Sequence, residues 1–224
     1  MKRIITNFFN LKESLIYYEY RYLKLKKKFK FFDNLNLNQN SIVLDLGSNV
    51  GDVTKYIYKK YNSFIYGYEP NVHAYNLQKK RFNNIEKIKI YNECIDIEDG
   101  ERKIYFHKNS KDKGDIEHSH ASSLDIDKAN ISPDNFQIAK SRSIKSILDK
   151  FNKIDLIKID IEGNEYKILP EIMKNKNKIQ KVLCELHGRP NNKNKDQIYT
   201  KSYLNLISKL KNEKLLNDWF IEWH

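Results

Sequence analysis

The chain has 224 residues, and its 41 lysines and arginines against 29 acidic residues give a formal net charge of +12 at pH 7. This length suits a single α/β domain that buries a continuous core. Lysine is common along the whole chain, so the positive charge is spread out. It therefore indicates a polyanionic partner less strongly than a clustered charge would.

The cysteines and the apolar runs narrow the class of protein further. Cys94 and Cys184 lie in apolar runs without metal-ligand spacing, so we expect buried, reduced thiols. No apolar run approaches the roughly 20 residues of a membrane-spanning helix. Polar residues interrupt the opening "MKRIITNFFN", which argues against a signal peptide. We therefore expect a cytoplasmic protein.

The N-terminal segment, residues 1–36, is predicted to contain an amphipathic helix. Its apolar residues recur at intervals of mostly three and four: Leu11, Leu15, Tyr18, Tyr22, Leu25 and Phe29. One interpretation, which we favour, is a helix packed on the domain with solvated lysines on its outer face. The other is a basic, tyrosine-rich surface for an anionic membrane, a glycan or RNA, carried by Lys24, Lys26, Lys27, Lys28 and Lys30.

Residues 37–224 are predicted to form one domain in which strands and helices alternate. Strands are predicted over residues 41–47, 63–70, 87–95, 102–107, 154–161 and 181–187, and helices near 50–60, 71–83, 143–151, 164–175 and 196–214. Apolar strands alternating with helices are typical of a parallel sheet covered on both faces. A polar insert, residues 108–135, interrupts the pattern, and we expect a loop of that length to take part in acceptor binding.

The first strand runs into a glycine turn and a helix in "IVLDLGSNVGDVT", residues 42–54. In an open parallel sheet, ligands bind beyond the carboxyl ends of the strands. Gly47 and Gly51 lie at such an end and allow close approach of a ligand. Glu69 follows the next strand at the spacing expected of an acid that binds a ribose diol. A nucleoside ligand is therefore predicted.

The middle position of the turn distinguishes between two nucleoside cofactors. NAD favours glycine there because the backbone must approach a pyrophosphate, but this chain has Asn49. S-adenosylmethionine carries adenosine without phosphate, so we predict that cofactor. Asp45 is expected to face its amino group, and Asp96 or the amide of Ile97 its adenine amine. The predicted cofactor-binding residues are Asp45, Gly47, Ser48, Asn49, Gly51, Glu69, Pro70, Asp96 and Ile97.

Charged residues gather on the fourth and fifth strands of the predicted core. Lys158 and Asp160 share one strand face, Glu162 follows that strand, and Glu185 and His187 share a face of the next. An alcohol acceptor needs a base or a metal ion. Asp160 and His187 are the candidate bases, and the full set of predicted catalytic residues is Asp160, His187, Glu162, Lys158 and Glu185. Lys158 is expected to face Glu185 or Asp160. Asp160, Glu162 and His187 could also bind a divalent ion, but the spacing does not demand one and no metal is predicted.

Four stretches together resemble the FkbM-type family of S-adenosylmethionine-dependent methyltransferases. They are "LDLGSNVGDVT", "YGYEPN", "ASSLD" and "IDLIKIDIEGNEYKIL", and the resemblance extends over about residues 41–187. It implies a Rossmann-like α/β fold, with a mostly parallel sheet of the seven-stranded methyltransferase type and helices on both faces. The short C-terminal region predicts a shortened closing strand pair. The usual reaction of the family is O-methylation of sugar or polyketide hydroxyls.

The combined prediction is an S-adenosylmethionine-dependent O-methyltransferase acting on a sugar hydroxyl of a nucleotide-linked or cell-surface glycan. Carboxylates and a histidine suit deprotonation of an alcohol. An RNA methyltransferase is the alternative that the positive charge favours, but the sequence has no appended RNA-binding motif. The other alternative is a binding protein that keeps the fold without catalysis.

Overall fold

The computed structural model describes residues 15–111, 118–187, 199–215 and 219. Helix α1, Leu15–Leu25, continues into a 3-10 helix, Lys26–Asn34. The remaining helices are α2 (Asp52–Tyr61), α3 (Val72–Phe82), α4 (Ile144–Leu148), α5 (Glu165–Lys174) and α6 (Thr200–Asn212), with short 3-10 turns at Ser119–Ala121 and Lys176–Lys178. The strands are β1 (Ile42–Leu46), β2 (Phe64–Tyr68), β3 (Ile88–Tyr91), β4 (Glu93–Asp96), β5 (Gly100–His107), β6 (Ile131–Ser143), β7 (Leu156–Ile159) and β8 (Val182–Cys184).

Five strands form a parallel sheet in the order β3-β2-β1-β7-β8. The chain proceeds from β1 outward through β2 and β3, then returns to β7 on the other side of β1. The strand order therefore reverses between β1 and β7, which is where open α/β sheets bind ligands. The α/β fold and the parallel sheet confirm the predicted fold class.

Apolar side chains cover both faces of this sheet. One core cluster joins the sheet to α4, α5 and α6, with Ile147, Leu169 and Leu210 fully buried. The other joins it to the 3-10 helix, α2 and α3 through Phe32, Ile57 and Phe82. Burial on both faces explains why the strands are almost continuously apolar in sequence.

A second sheet of three strands has the order β4-β6-β5 and was only partly predicted. The stretch 87–95 was predicted as one strand, but it divides at Asn92, whose side-chain amide donates to the carbonyls of Glu69 and Pro70, both at 2.9 Å. Strand β6 was not predicted because its sequence is largely polar. Its first five residues, 131–135, belong to the predicted insert, whose residues 112–117 lie outside the described part of the chain.

Helix α1 covers the outside of the turn after β1. Tyr18 and Tyr22 are buried, and Tyr18 packs in a cluster with Val50, Ala74 and Leu77. The first fourteen residues of the predicted N-terminal segment lie outside the described residues, so the division at residue 36 stays a prediction. None of the described helices is long and apolar enough to span a bilayer. No strand follows β8 within the described residues 199–215 and 219.

Candidate active site

Three residues of the turn after β1 have a left-handed backbone conformation. The φ angles are 77° at Gly47, 49° at Asn49 and 81° at Gly51. A Cβ atom on Gly47 would lie 1.7 Å from the backbone oxygen of Asp160, so only glycine fits this position. The turn therefore brings the end of β1 directly against the end of β7.

Two predicted cofactor residues of this turn face the sheet-covering helix instead of the open end of the sheet. Ser48 accepts a hydrogen bond from the side-chain amide of Gln78 at 2.9 Å. A Cβ atom on Gly51 would approach the Phe82 ring to 2.6 Å. Both residues fix the turn against α3, and neither lines the pocket.

Glu69, at the end of β2, lies on the wall of a pocket at the carboxyl ends of the strands. Its two carboxylate oxygens accept hydrogen bonds from the backbone amides of Asn49 and Asn71, both at 2.8 Å. Burial raises the pKa of Glu69 to about 7, and the two amides and Lys158 hold it from rising further. Backbone donors thus fix a buried carboxylate at the pocket surface.

Asp45 is fully buried beneath the turn and pairs with Lys158. The Lys158 ammonium lies 3.2 Å from Asp45 Oδ1, and the Thr54 hydroxyl donates to Asp45 Oδ2 at 2.7 Å. Lys158 also donates to the carbonyl of Gly47 at 2.6 Å. Asp45 was predicted to face the amino group of the cofactor, but the structure places it in this ion pair behind the pocket lining.

Asp160, just beyond β7, lies on the pocket wall with 29% of its side chain exposed. Its Oδ2 lies 3.6 Å from the Lys158 ammonium, as the sequence predicted for this pair. Burial raises the pKa of Asp160 to about 8; the positive charge of Lys158 opposes this shift, and the negative charges of Glu185 and Glu162 add to it. A carboxyl with this pKa exchanges a proton near neutral pH.

Glu162 joins the end of β7 to the polar insert. Its backbone has a φ of 60°, its carbonyl accepts from the Ser123 hydroxyl at 2.6 Å, and its carboxylate pairs with the buried ammonium of Lys128. Burial alone would raise the pKa of Glu162, but His187 and Lys128 outweigh it and lower the pKa to about 2. Glu162 is therefore ionised, and its charge is already neutralised by its neighbours.

His187 is held between two carboxylates. Its Nε2 lies 3.1 Å from Glu162, and its Nδ1 lies 3.0 Å from Glu165, which is fully buried. Burial lowers the pKa of His187, but Glu165 and Glu162 outweigh it and raise the pKa to about 11. An imidazolium that donates from both nitrogens has no free site for a proton at neutral pH, so this geometry does not suit the predicted role of general base.

The remaining predicted residues fall in different places. Pro70 lies on the pocket wall, and Glu185 follows β8 close enough to act on the pKa of Asp160. Asp96 accepts hydrogen bonds from the amide of Ile97 at 2.8 Å and from Arg102 at 2.6 Å, and neither Asp96 nor Ile97 lines the pocket. The neighbouring residues of the same strand line it instead: Glu93, Cys94 and Ile95.

Part of the polar insert closes the pocket. The residues that it contributes are Ser119, His120, Ser122, Ser123 and Leu124. The cavity that they line together with the strand ends has a volume of about 70 Å³, smaller than the roughly 300–1,000 Å³ typical of ligand sites. The insert is tied to the turn because the side-chain amide of Asn49 donates to the Ser119 hydroxyl at 3.0 Å. It is also tied to the start of α6, because the Tyr199 hydroxyl donates to Asp125 at 2.6 Å.

The pocket is acidic although the protein is basic. Four carboxyl groups line it, from Glu69, Glu93, Asp160 and Glu162, and none of the described lining residues is lysine or arginine. Glu162 and Glu93 are paired with cationic side chains, so the negative charge open to a cationic ligand comes from Glu69 and from the ionised fraction of Asp160. Among the described residues, no group of three or more histidine, cysteine, aspartate and glutamate side chains has the arrangement of a metal site.

The sequence between the first strand and the last described helix matches a known family. The model of the methyltransferase FkbM domain matches residues 45–214. The chain belongs to the FkbM methyltransferase family. Among solved structures, the FkbM domain is similar to methyltransferase FkbM from Methylobacillus flagellatus KT, with 14% identity, a TM-score of 0.46, and coverage of 78% of this chain and 39% of the other. The chain thus spans well under half of that protein. No curated protein sequence matches it.

Sequence reasoning missed three side chains that shape this FkbM site. Lys128 pairs with Glu162, Glu165 pairs with His187, and His120 lines the pocket. The motif "ASSLD", residues 121–125, could have indicated His120, because this part of the insert matches the family pattern. The pairing of Lys128 had no such signal, since it depends on a contact 34 residues away.

Proposed function

We propose that this FkbM domain is an S-adenosylmethionine-dependent O-methyltransferase whose acceptor is a sugar hydroxyl of a nucleotide-linked or cell-surface glycan. One observation carries the proposal. A single acidic pocket has an amide-held carboxylate, Glu69, on one wall and a carboxyl with a pKa near 8, Asp160, on the other. The first suits a nucleoside and the second suits deprotonation of an alcohol.

The pocket wall that contains Asn49 and Glu69, called the cofactor wall below, fits S-adenosylmethionine. Each oxygen of Glu69 takes one backbone hydrogen bond, which leaves lone pairs that can accept from the ribose hydroxyls. Asn49 occupies the position where a pyrophosphate would need glycine, and the acidic lining matches a cationic ligand. When bound, S-adenosylmethionine supplies a methyl group already activated by its sulfonium.

Asp160 is the proposed general base. An alcohol is a poor nucleophile until it loses its proton, and the Asp160 carboxylate faces the pocket in which an acceptor would bind. Its pKa of about 8 makes it a stronger base than an ordinary aspartate, while part of the population remains ionised at neutral pH. The Lys158 ammonium keeps the ionised form accessible and anchors it to the turn through Gly47.

His187 is proposed as a positioning residue. Its imidazolium holds the carboxylates of Glu162 and Glu165, and the carbonyl of His187 accepts a hydrogen bond from Tyr166. Glu162 in turn accepts hydrogen bonds from Lys128 and Ser123 of the insert. This network fixes the insert over the pocket, so it sets the shape of the acceptor site without exchanging the proton of the acceptor.

The chemistry of the insert supports a polyol acceptor. The pocket-lining residues of the described insert are three serines, one histidine and one leucine, and hydroxyl and imidazole groups can hydrogen-bond a sugar. None of these five residues is phenylalanine, tyrosine or tryptophan, the large rings that most often stack on a nucleobase. Both features favour a glycan over RNA as the acceptor.

Transfer of labelled methyl groups tests the proposal. The full-length protein, with labelled S-adenosylmethionine, should label cell-surface glycan or nucleotide-sugar extracts, and Asp160→Asn should abolish most of that label. Label in total RNA with none in the carbohydrate fraction, together with steeply salt-dependent binding, would establish the RNA alternative. Cofactor binding without label in any fraction would favour the non-catalytic alternative.

A further inference from the structure

The outer face of helix α1 exposes large apolar side chains. Ile16, Tyr20 and Leu23 have 75%, 56% and 53% of their surfaces exposed. Their spacing of four and three residues places them along one side of the helix. Scattered exposed apolar residues are ordinary, but an aligned set on one helix face is typical of a surface that contacts another body.

The inner face of the same helix is fixed to the domain. Tyr18 and Tyr22 are buried, Glu19 pairs with Lys55 of α2, and Arg21 lies 3.4 Å from Asp52. These contacts prevent the helix from rotating to bury its outer residues. The apolar side chains are therefore held outward in the folded chain.

Positive charge surrounds the exposed apolar residues. The Lys24 ammonium lies 4.3 Å from the centre of the Tyr20 ring. The two acidic residues of the described segment 15–34 both pair with lysines of α2: Glu19 with Lys55, and Asp33 with Lys60 at 2.7 Å. The outer surface therefore keeps an excess of positive charge, carried by the exposed side chains of Lys24, Lys26, Lys27, Lys28 and Lys30.

We propose that α1 and the 3-10 helix after it, Leu15–Asn34, form a docking surface for an anionic phospholipid bilayer. Ile16, Tyr20 and Leu23 would enter the headgroup region while the lysines contact the lipid phosphates. Exposed apolar and basic side chains together on one helical segment match the way in which an interfacial helix binds a membrane. This inference is independent of the methyltransferase activity and would place the enzyme at a membrane surface.

Two other partners fit this surface less well. A nucleic acid would use the lysines, but its backbone offers nothing to the exposed aliphatic side chains of Ile16 and Leu23. A second copy of the chain would bring one lysine cluster against another if the same faces paired, and like charges facing each other are repulsive. The bilayer accommodates both the charge and the apolar groups.

Vesicle co-sedimentation of the full-length protein tests the surface. The protein should bind vesicles of phosphatidylcholine mixed with phosphatidylglycerol at least about tenfold more tightly than vesicles of phosphatidylcholine alone, since each lysine near an anionic surface contributes to binding. The variant K24Q/K26Q/K27Q/K28Q should lose about tenfold or more of that affinity. The variant I16S/L23S should also bind more weakly while it keeps its charge.

A charge-matched control separates this surface from the overall positive charge. The variant K201Q/K209Q/K211Q/K214Q removes four exposed lysines in and just after α6, and it should bind the anionic vesicles as the natural chain does. Circular dichroism should show that all three variants fold. Equal binding to both vesicle types, or an equal loss in the control variant, would overturn the proposal. RNA binding without vesicle binding, or a dimer that I16S/L23S dissolves, would also overturn it.

Discussion

The two walls of the pocket hold their carboxylates in different ways. At the end of β2, Glu69 is fixed by backbone amides of Asn49 and Asn71, which belong to the adjoining turns. At the end of β7, Glu162 is held by the charged side chains of Lys128 and His187, from the insert and the region after β8. The backbone donors hold the Glu69 carboxylate in one position, whereas the side chains of Lys128 and His187 neutralise the charge of Glu162.

The consequence of this difference appears in the pKa values. The pKa is raised to about 7 for Glu69 and to about 8 for Asp160, and it is lowered to about 2 for Glu162. Within one pocket, the carboxyl groups thus differ: Glu69 and Asp160 exchange a proton near neutral pH, whereas Glu162 stays ionised. Carboxyl groups whose environments separate their pKa values in this way are the usual basis for dividing acid and base roles.

Of the changes considered, Asp160→Asn, in the pocket wall at the end of β7 (the β7 wall), is expected to have the largest effect. The amide cannot accept the acceptor proton, so turnover should fall by about 10²–10⁴-fold. Affinity for S-adenosylhomocysteine should stay unchanged, because Asp160 lies opposite the cofactor wall. Steady-state kinetics and calorimetry measure the two effects, with the exposed Asp149→Asn as the matched control. Full turnover in Asp160→Asn would show that another group takes the proton.

His187→Gln is expected to act on the stability of that wall. Loss of the imidazolium leaves Glu162 with Lys128 as its described charge partner and leaves Glu165 buried without its counter-charge. The free energy of unfolding should fall by about 3 kcal/mol, the scale of removing one partner from a buried ion pair. Urea unfolding at pH 7 measures it, and the exposed His73→Gln serves as control. Unchanged stability would contradict the positioning role.

Glu69→Ala should weaken the cofactor wall alone. The loss of a charged hydrogen-bond acceptor for the ribose should reduce the affinity for S-adenosylhomocysteine by about 1–3 kcal/mol. Titration calorimetry measures this change, and Glu86→Ala, which removes an exposed carboxylate, should leave the affinity as it is. If Glu69→Ala binds as tightly as the natural chain, the ribose is bound elsewhere.

The pH dependence should be the smallest of these effects. The base must be ionised to accept a proton, so kcat/KM should rise with pH through the pKa of Asp160, about 8. Between pH 7 and pH 9 the increase should be about tenfold. A rate profile that is flat over this range, or one that falls, would show that ionisation of Asp160 does not limit the reaction.

Local patterns in the sequence predicted the cofactor wall better than the opposite wall. The turn at Gly47 and the spacing to Glu69 follow from one strand-turn-helix unit and its neighbouring strand, so both residues lie on the pocket wall as expected. Asp96 was predicted to contact the adenine amine, but in the structure it pairs with Arg102 of β5, and the pairing of β5 within a second sheet was not predicted. Strand β6 was missed because apolar and polar residues do not alternate along its largely polar sequence.

For the β7 wall, the sequence predicted which charged residues take part but not how they pair. Apolar strand patterns placed Asp160, Glu162 and His187 near one another, but the order of pairing depends on tertiary contacts. Lys158 was expected to face Glu185 or Asp160, and its shorter contact is with Asp45, its register partner on the neighbouring strand β1. The role of His187 depends on its contact with Glu165, 22 residues away along the chain, which no local pattern indicated.

Competitive titration calorimetry on the full-length protein is the most direct test of the central claim that this pocket binds S-adenosylmethionine. S-adenosylmethionine and S-adenosylhomocysteine should both bind, and excess NAD should displace neither of them. Asp160→Asn should bind both as the natural chain does, whereas Glu69→Ala should bind both more weakly. Binding of NAD that depends on Glu69, with no heat from S-adenosylmethionine, would contradict the account.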